Sequence, residues 1–142
     1  MVIFVSFVVY YLLFLTYTQE FTADRIVSRG ICKNIVIHYG TKKFIIRALV
    51  DTGNRLVDRA SGAPVCIISL TVFLAMFPAG LPEGYFINYS TVSNTGQKMF
   101  VFAPNKIEIE GGKTTDNVRL GVNFHGFGGV VKYEALLNMG VL

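Results

Sequence analysis

The stretch Arg47-Ala48-Leu49-Val50-Asp51-Thr52-Gly53-Asn54 decides how the chain is read. An apolar, β-forming run climbs through Phe44, Ile45 and Ile46 to Val50, then breaks at an acid, a hydroxyl and a glycine. Ala48, Leu49 and Val50 are apolar on both faces of such a strand, the pattern of a buried one. The strand is therefore expected to carry Asp51 inward and to deliver its carboxylate to a tight loop.

Upstream, residues 31–39 form another β-rich run, and Gly40-Thr41-Lys42 separates it from the strand that ends at Asp51. The pair reads as a β-hairpin turning at Gly40. Downstream, residues 55–63 hold Asp58, Arg59, Ser61 and Gly62, a turn cluster, and residues 64–68 resume as a strand. Ser69 is placed to cap a short helix over residues 71–77, which Pro78 stops. Two strands follow at residues 85–89 and 98–102. Ser93-Asn94-Thr95-Gly96 is the hairpin tip between them, because Asn and Gly tolerate positive φ. Residues 106–110 alternate as a half-buried strand, Gly111-Gly112 turns the chain, and residues 117–122 form a further strand. Residues 133–139 read as a closing helix. The fold expected after residue 30 is a small, mainly β domain of short strands with one or two short helices.

The chain has 142 residues, one domain's worth. Hydrophobic residues make up 52% of it and charged residues 15%, too apolar a balance for a purely soluble domain. The excess lies at the start, since residues 1–19 carry no charge. That run just reaches the length of a spanning helix, about 18 residues. A signal peptide fits less well, because no basic residue precedes the run and no small-x-small site follows it before Glu20. Residues 1–19 are thus expected to be a transmembrane segment and residues 20–30 a juxtamembrane linker. Arg25, Arg29 and Lys33 follow the run and nothing basic precedes it, so the remainder, residues 31–142, is expected on the cytoplasmic face of the cell membrane.

Several function classes have no support. The net charge of +4 is scattered rather than gathered on a basic face, which argues against nucleic acid. Cys32 and Cys66 lack metal-ligand spacing and read as small core residues, and His38 and His125 read as structural. No glycine-rich phosphate loop follows a strand, so neither a metal nor another cofactor is expected.

On its own, Asp51-Thr52-Gly53 is ordinary turn chemistry, with the aspartate bonding its own backbone. Its surroundings point further. A buried strand leads in, Gly53 lets neighbouring backbone approach, and Thr52 can hold the loop by hydrogen bonds. The hairpin bearing Ser93, Asn94, Thr95 and Gly96 is placed as a flap, and Leu120-Gly121 reads as an apolar-glycine segment packing behind the acid loop. The other acids, Asp58, Glu108, Glu110 and Asp116, are expected to be solvated.

This order of elements is the layout of half an aspartic peptidase, and the chain from about Asn34 onward resembles a retropepsin-like subunit. The stretch from Ala48 to Asp58 with Gly62-Ala63-Pro64-Val65 is similar to the active-site region of the sporulation sigma-E factor-processing peptidases. Those are membrane aspartic proteases of endospore-forming bacteria. Later blocks, Val101-Phe102-Ala103-Pro104-Asn105-Lys106-Ile107, Leu120-Gly121-Val122 and Tyr133-Glu134-Ala135-Leu136-Leu137-Asn138, are similar in the same order. That family carries several membrane spans before its peptidase domain, and this chain offers one; it is expected to be a shortened member or a fragment holding the last span. The hairpin tip also has Asn94 and Thr95 where the resemblance leads one to expect a more glycine-rich turn.

The resemblance implies a half-barrel aspartic endopeptidase whose active-site loop is Asp51, Thr52, Gly53 and Asn54. Since only one Asp-Thr-Gly exists, the second catalytic aspartate is expected from another copy, in a two-fold homodimer. The implied substrate is a protein, the precursor of a sporulation sigma factor. Two other readings remain at this point: a membrane-tethered β domain that binds a partner without cleaving it, and a structural subunit of a secreted envelope assembly.

Overall fold

A computed structural model describes residues 6, 8–15, 31–91, 96–127 and 132–142. The chain divides into two units, Met1–Ile31 with Gly128–Lys132, and Cys32–Phe127 with Tyr133–Leu142. In the first unit, residues 8–15 are helical and exposed. Among the described residues no helix is long and apolar enough to cross a membrane. The expected single spanning helix is therefore not seen; the rest of residues 1–19, apart from Ser6, and the expected linker at residues 20–30 lie outside the described residues.

The second unit is mainly β. Its described residues form one nine-stranded sheet from β1 (Cys32–Tyr39), β2 (Lys42–Asp51), β3 (Val65–Ser69), β4 (Gly84–Tyr89), β5 (Gln97–Phe102), β6 (Lys106–Ile109), β7 (Lys113–Thr115), β8 (Arg119–Asn123) and β9 (Ala135–Asn138). The strand order is β4-β5-β8-β3-β9-β2-β1-β6-β7. A helix α1 (Leu70–Met76) follows β3, and a 3-10 turn (Met139–Val141) follows β9.

β1 and β2 form the hairpin expected at Gly40, with Tyr39 opposite Lys42. Gly40 has a φ of 57°, the sign that a glycine-first two-residue hairpin turn requires. Along β2 the side chains alternate, with Ile46 and Ala48 buried while Ile45 is 75% exposed. Leu49, Val50 and Asp51 are only half-buried, so the strand is less enclosed at its end than its apolar spelling suggests.

Helix α1 starts as expected at Ser69, whose hydroxyl accepts the Val72 N–H at 3.3 Å. It buries Val72, Phe73 and Met76. Phe73 and Phe77 pack edge-on or tilted against Phe102, with ring centroids 5.8 and 5.3 Å away. Such pairs add to the burial of the rings themselves. The main core joins these rings to Ile35, Ile37, Ile68, Ile107, Leu120 and Leu137.

The expected closing helix over residues 133–139 is instead a strand and a 3-10 turn. β9 enters between β2 and β3, parallel to the first and antiparallel to the second. A segment in that slot satisfies its backbone on both sides, which outweighs the helical preference of Ala and Leu.

Candidate active site

β2 ends at Asp51, which is half-buried, while Thr52 and Gly53 are exposed. Oδ1 of Asp51 accepts the Gly53 N–H at 2.9 Å, and the Asp51 carbonyl accepts the Asn54 N–H at 3.1 Å. The local turn chemistry of an aspartate is thus present, and it fixes the carboxylate as well as the loop. A Cβ added at Gly53 would stand 3.2 Å from that same Oδ1, so glycine keeps the space beside the carboxylate clear.

The loop is held from below by two buried asparagines, Asn54 at 7% and Asn138 at 3% exposure. Asn54 Nδ2 donates to the Val65 carbonyl at 3.0 Å, and Asn54 Oδ1 accepts the Leu56 N–H at 3.1 Å. Asn138 Nδ2 donates to the Leu56 carbonyl at 2.7 Å and reaches Asn54 Oδ1 at 3.4 Å. Its own Oδ1 accepts the Gly140 N–H at 2.8 Å. Each of these groups would cost free energy if buried unpaired, so together they fix the loop's path. Beside them, burial pushes the Cys66 thiol up to about 11, opposed by the Asn138 N–H on its sulfur. Cys66 is a protonated core residue, as expected.

Tyr133 stands just before β9 and stacks at a tilt on Phe127, with ring centroids 5.2 Å apart. Burial raises its phenol above the ordinary value, and the charges of Asp51 and Cys32 raise it further.

β4 and β5 pair as an antiparallel hairpin. A cleft of about 740 Å³ separates β4 from residues 55–60, with Arg55, Asp58, Tyr85 and Tyr89 among its lining and Asp51 not among it. Of the expected flap-tip residues, Ser93, Asn94 and Thr95 lie outside the described residues. Gly96 is exposed with a φ of 72°, just before β5.

Asp58 is 1% exposed, which corrects the expectation of a solvated acid. Its carboxylate accepts Tyr85 Oη at 2.5 Å, the Ser61 hydroxyl, and the N–H groups of Ala60 and Ser61 at 3.1 and 3.2 Å. Burial alone would raise this carboxyl. The hydrogen bonds from Ser61, Tyr85 and the Ala60 and Ser61 amides outweigh burial and hold it below its ordinary value of 3.8. Glu110 and Asp116 are exposed as expected, and Glu108 is partly so, paired with Lys106 at 2.8 Å.

Leu120 and Gly121 lie in β8, between β3 and β5, where Gly121 packs against Met99 and Val65. The segment beside the acid loop is β9, whose Asn138 is in register with Asp51. Sequence reasoning missed Asn138, Tyr133 and Tyr85. One signal was available: Ala135-Leu136-Leu137-Asn138 repeats the apolar-run-then-polar spelling of Ala48-Leu49-Val50-Asp51.

Among the described residues no three His, Cys, Asp or Glu side chains are grouped so as to hold a metal ion. The arrangement is a carboxylate at the end of a strand on a braced loop, and the residues that follow that loop, 55–60, face β4 across a cleft. A family model described as Peptidase_U4, sporulation factor SpoIIGA, matches residues 1–141. The chain belongs to the SpoIIGA family. Comparison with curated proteins found no match. Membership in a peptidase family supports a protease role in sporulation for this SpoIIGA-family chain and implies a protein as its substrate. The similarity of residue blocks to the sigma-E factor-processing peptidases, read from the sequence, agrees with that family.

Proposed function

We propose that this chain is one subunit of a membrane-anchored aspartic endopeptidase in which Asp51 is the catalytic carboxylate. The observation that carries the reading is the braced loop: Asp51 Oδ1 is held by the Gly53 N–H at 2.9 Å, and Asn54 and Asn138 lock the backbone that follows. A catalytic group needs its geometry fixed before substrate arrives.

Peptide hydrolysis by carboxylates takes two of them. One accepts a proton from the attacking water while the other, protonated, donates toward the scissile carbonyl oxygen. Two carboxylates held close share a proton, which sets up these two roles. With one Asp-Thr-Gly per chain, a two-fold homodimer brings a second Asp51 to the first. Thr52 and Gly53, both exposed, then form the meeting surface of the two loops. The half-barrel, retropepsin-like architecture belongs to this reading, with the β4–β5 hairpin as flap.

The substrate in this reading is the precursor of a sporulation sigma factor. The uncharged residues 1–19 anchor the chain in the cell membrane, and the basic flank of Arg25, Arg29 and Lys33 keeps residues 31–142 on the cytoplasmic side. Protease added to intact cells should leave that part uncleaved. Asp51→Asn, assayed by processing of the precursor, should lower cleavage by about three orders of magnitude or more with the unfolding midpoint unchanged. Full processing by Asp51→Asn would sink the aspartic mechanism.

A further inference from the structure

The hairpin β4–β5 joins the sheet through a narrow base. Among the described residues β4 is an edge strand paired only with β5, and β5 meets β8 at two positions, Val101 with Gly121 and Phe102 with Leu120. Apolar contacts of Met99 and Val101 with Val65, joined by Leu56 and Ile87, back the hairpin. Such contacts are non-directional and tolerate small shifts of angle.

Among the described residues one directional contact crosses the cleft. The turn at residues 58–63 closes on itself, with Asp58 N–H on the Ala63 carbonyl at 2.9 Å and Gly62 N–H on the Asp58 carbonyl at 2.8 Å. The Asp58 carboxylate takes the Ala60 and Ser61 amides and the Ser61 hydroxyl from that turn. From another element it takes Tyr85 Oη, at 2.5 Å, and Arg119 Nε lies 3.8 Å away. Tyr85 stands opposite Val101, at the level where β5 joins β8. A charge-assisted hydrogen bond to a buried carboxylate is short, strong and angle-selective.

We infer that Asp58 and Tyr85 are positioning residues for peptide cleavage. The buried carboxylate, bonded by Tyr85 Oη, sets the tilt of the β4–β5 hairpin over the cleft and so the depth at which an extended peptide is held. This rests on reading Asp51 as catalytic and the hairpin as the flap. Asp58 touches no reacting atom; it acts through Tyr85.

The test uses the full chain in detergent, with the sigma-factor precursor as substrate. Tyr85→Phe keeps the ring and removes only the hydroxyl. It should lower kcat/KM about tenfold, mainly through KM, the size expected from one lost bond to a charged group. Amide hydrogen exchange of residues 84–89 should rise while that of residues 42–51 stays constant. Asp58→Asn should show the same pattern, and the double variant should lose no more than the worse single one. Unchanged KM, unchanged exchange of residues 84–89, or independent multiplication of the two effects would each overturn the proposal. Asp51→Asn run alongside separates the two readings. If it cleaves normally, the reading of Asp51 as catalytic falls, and the positioning role that rests on it falls with it. If it is inactive and Tyr85→Phe behaves as the unsubstituted chain, only the positioning role falls.

Discussion

Asn138 stands in register with Asp51 across the parallel strands β9 and β2, and its side-chain amide holds the Leu56 carbonyl at 2.7 Å. The strand that flanks the acid thus also fastens the loop that leaves it. Asn138→Ala takes one of two donors from each of the Leu56 and Val65 carbonyls, which keep the Val65 N–H and Asn54 Nδ2, and leaves the Gly140 N–H without its acceptor. A loss of about 2 kcal/mol is expected by urea unfolding. Asn138→Asp should cost more than Asn138→Ala, because it turns a carboxylate toward carbonyl oxygens.

Gly53→Ala separates loop geometry from overall stability. The added methyl would press on Asp51 Oδ1 at 3.2 Å while Gly53 itself is exposed. Cleavage of the precursor should fall about tenfold or more with an unfolding free energy within about 1 kcal/mol of the unsubstituted chain.

Acid should act through Asp58. Its folded pKa lies below the ordinary 3.8, so the unfolded chain binds the proton more tightly than the folded one. The stabilisation is complete above the unfolded value and is lost as pH falls below 3.8 through the lower folded value. Unfolding measured across that acid range should show a shallower loss in Asp58→Asn, which is already less stable at neutral pH.

Ser69→Ala removes the helix cap, whose hydroxyl accepts the Val72 N–H at 3.3 Å. Thermal unfolding should report a loss of about 1 kcal/mol with precursor cleavage unchanged, since Ser69 lies away from the acid loop.

The elements set by local chemistry were legible. Gly40 marked the first hairpin, Ser69 and Pro78 bounded the helix, and the β4–β5 pair followed from two apolar runs around a polar tip. Asp51 at a strand end was equally legible. What escaped was set by distant partners. Residues 135–138 are spelled like a helix and become a strand only because β2 and β3 leave a slot between them. Asp58 does sit in the turn its neighbours predict. Its side chain is buried because Tyr85, 27 residues on, supplies a donor that no local pattern reveals. Leu120-Gly121 lies in β8, whose neighbours β3 and β5 are likewise chosen by distant pairing.

The central claim is that Asp51 is half of a site completed by a second copy. Active and Asp51→Asn chains, mixed in equal amounts under conditions that exchange subunits, test it most directly. A shared site predicts about one quarter of the activity of the same total of active chain, because only dimers with two Asp51 carboxylates cleave. Activity of about one half, linear in the dose of active chain, would contradict it.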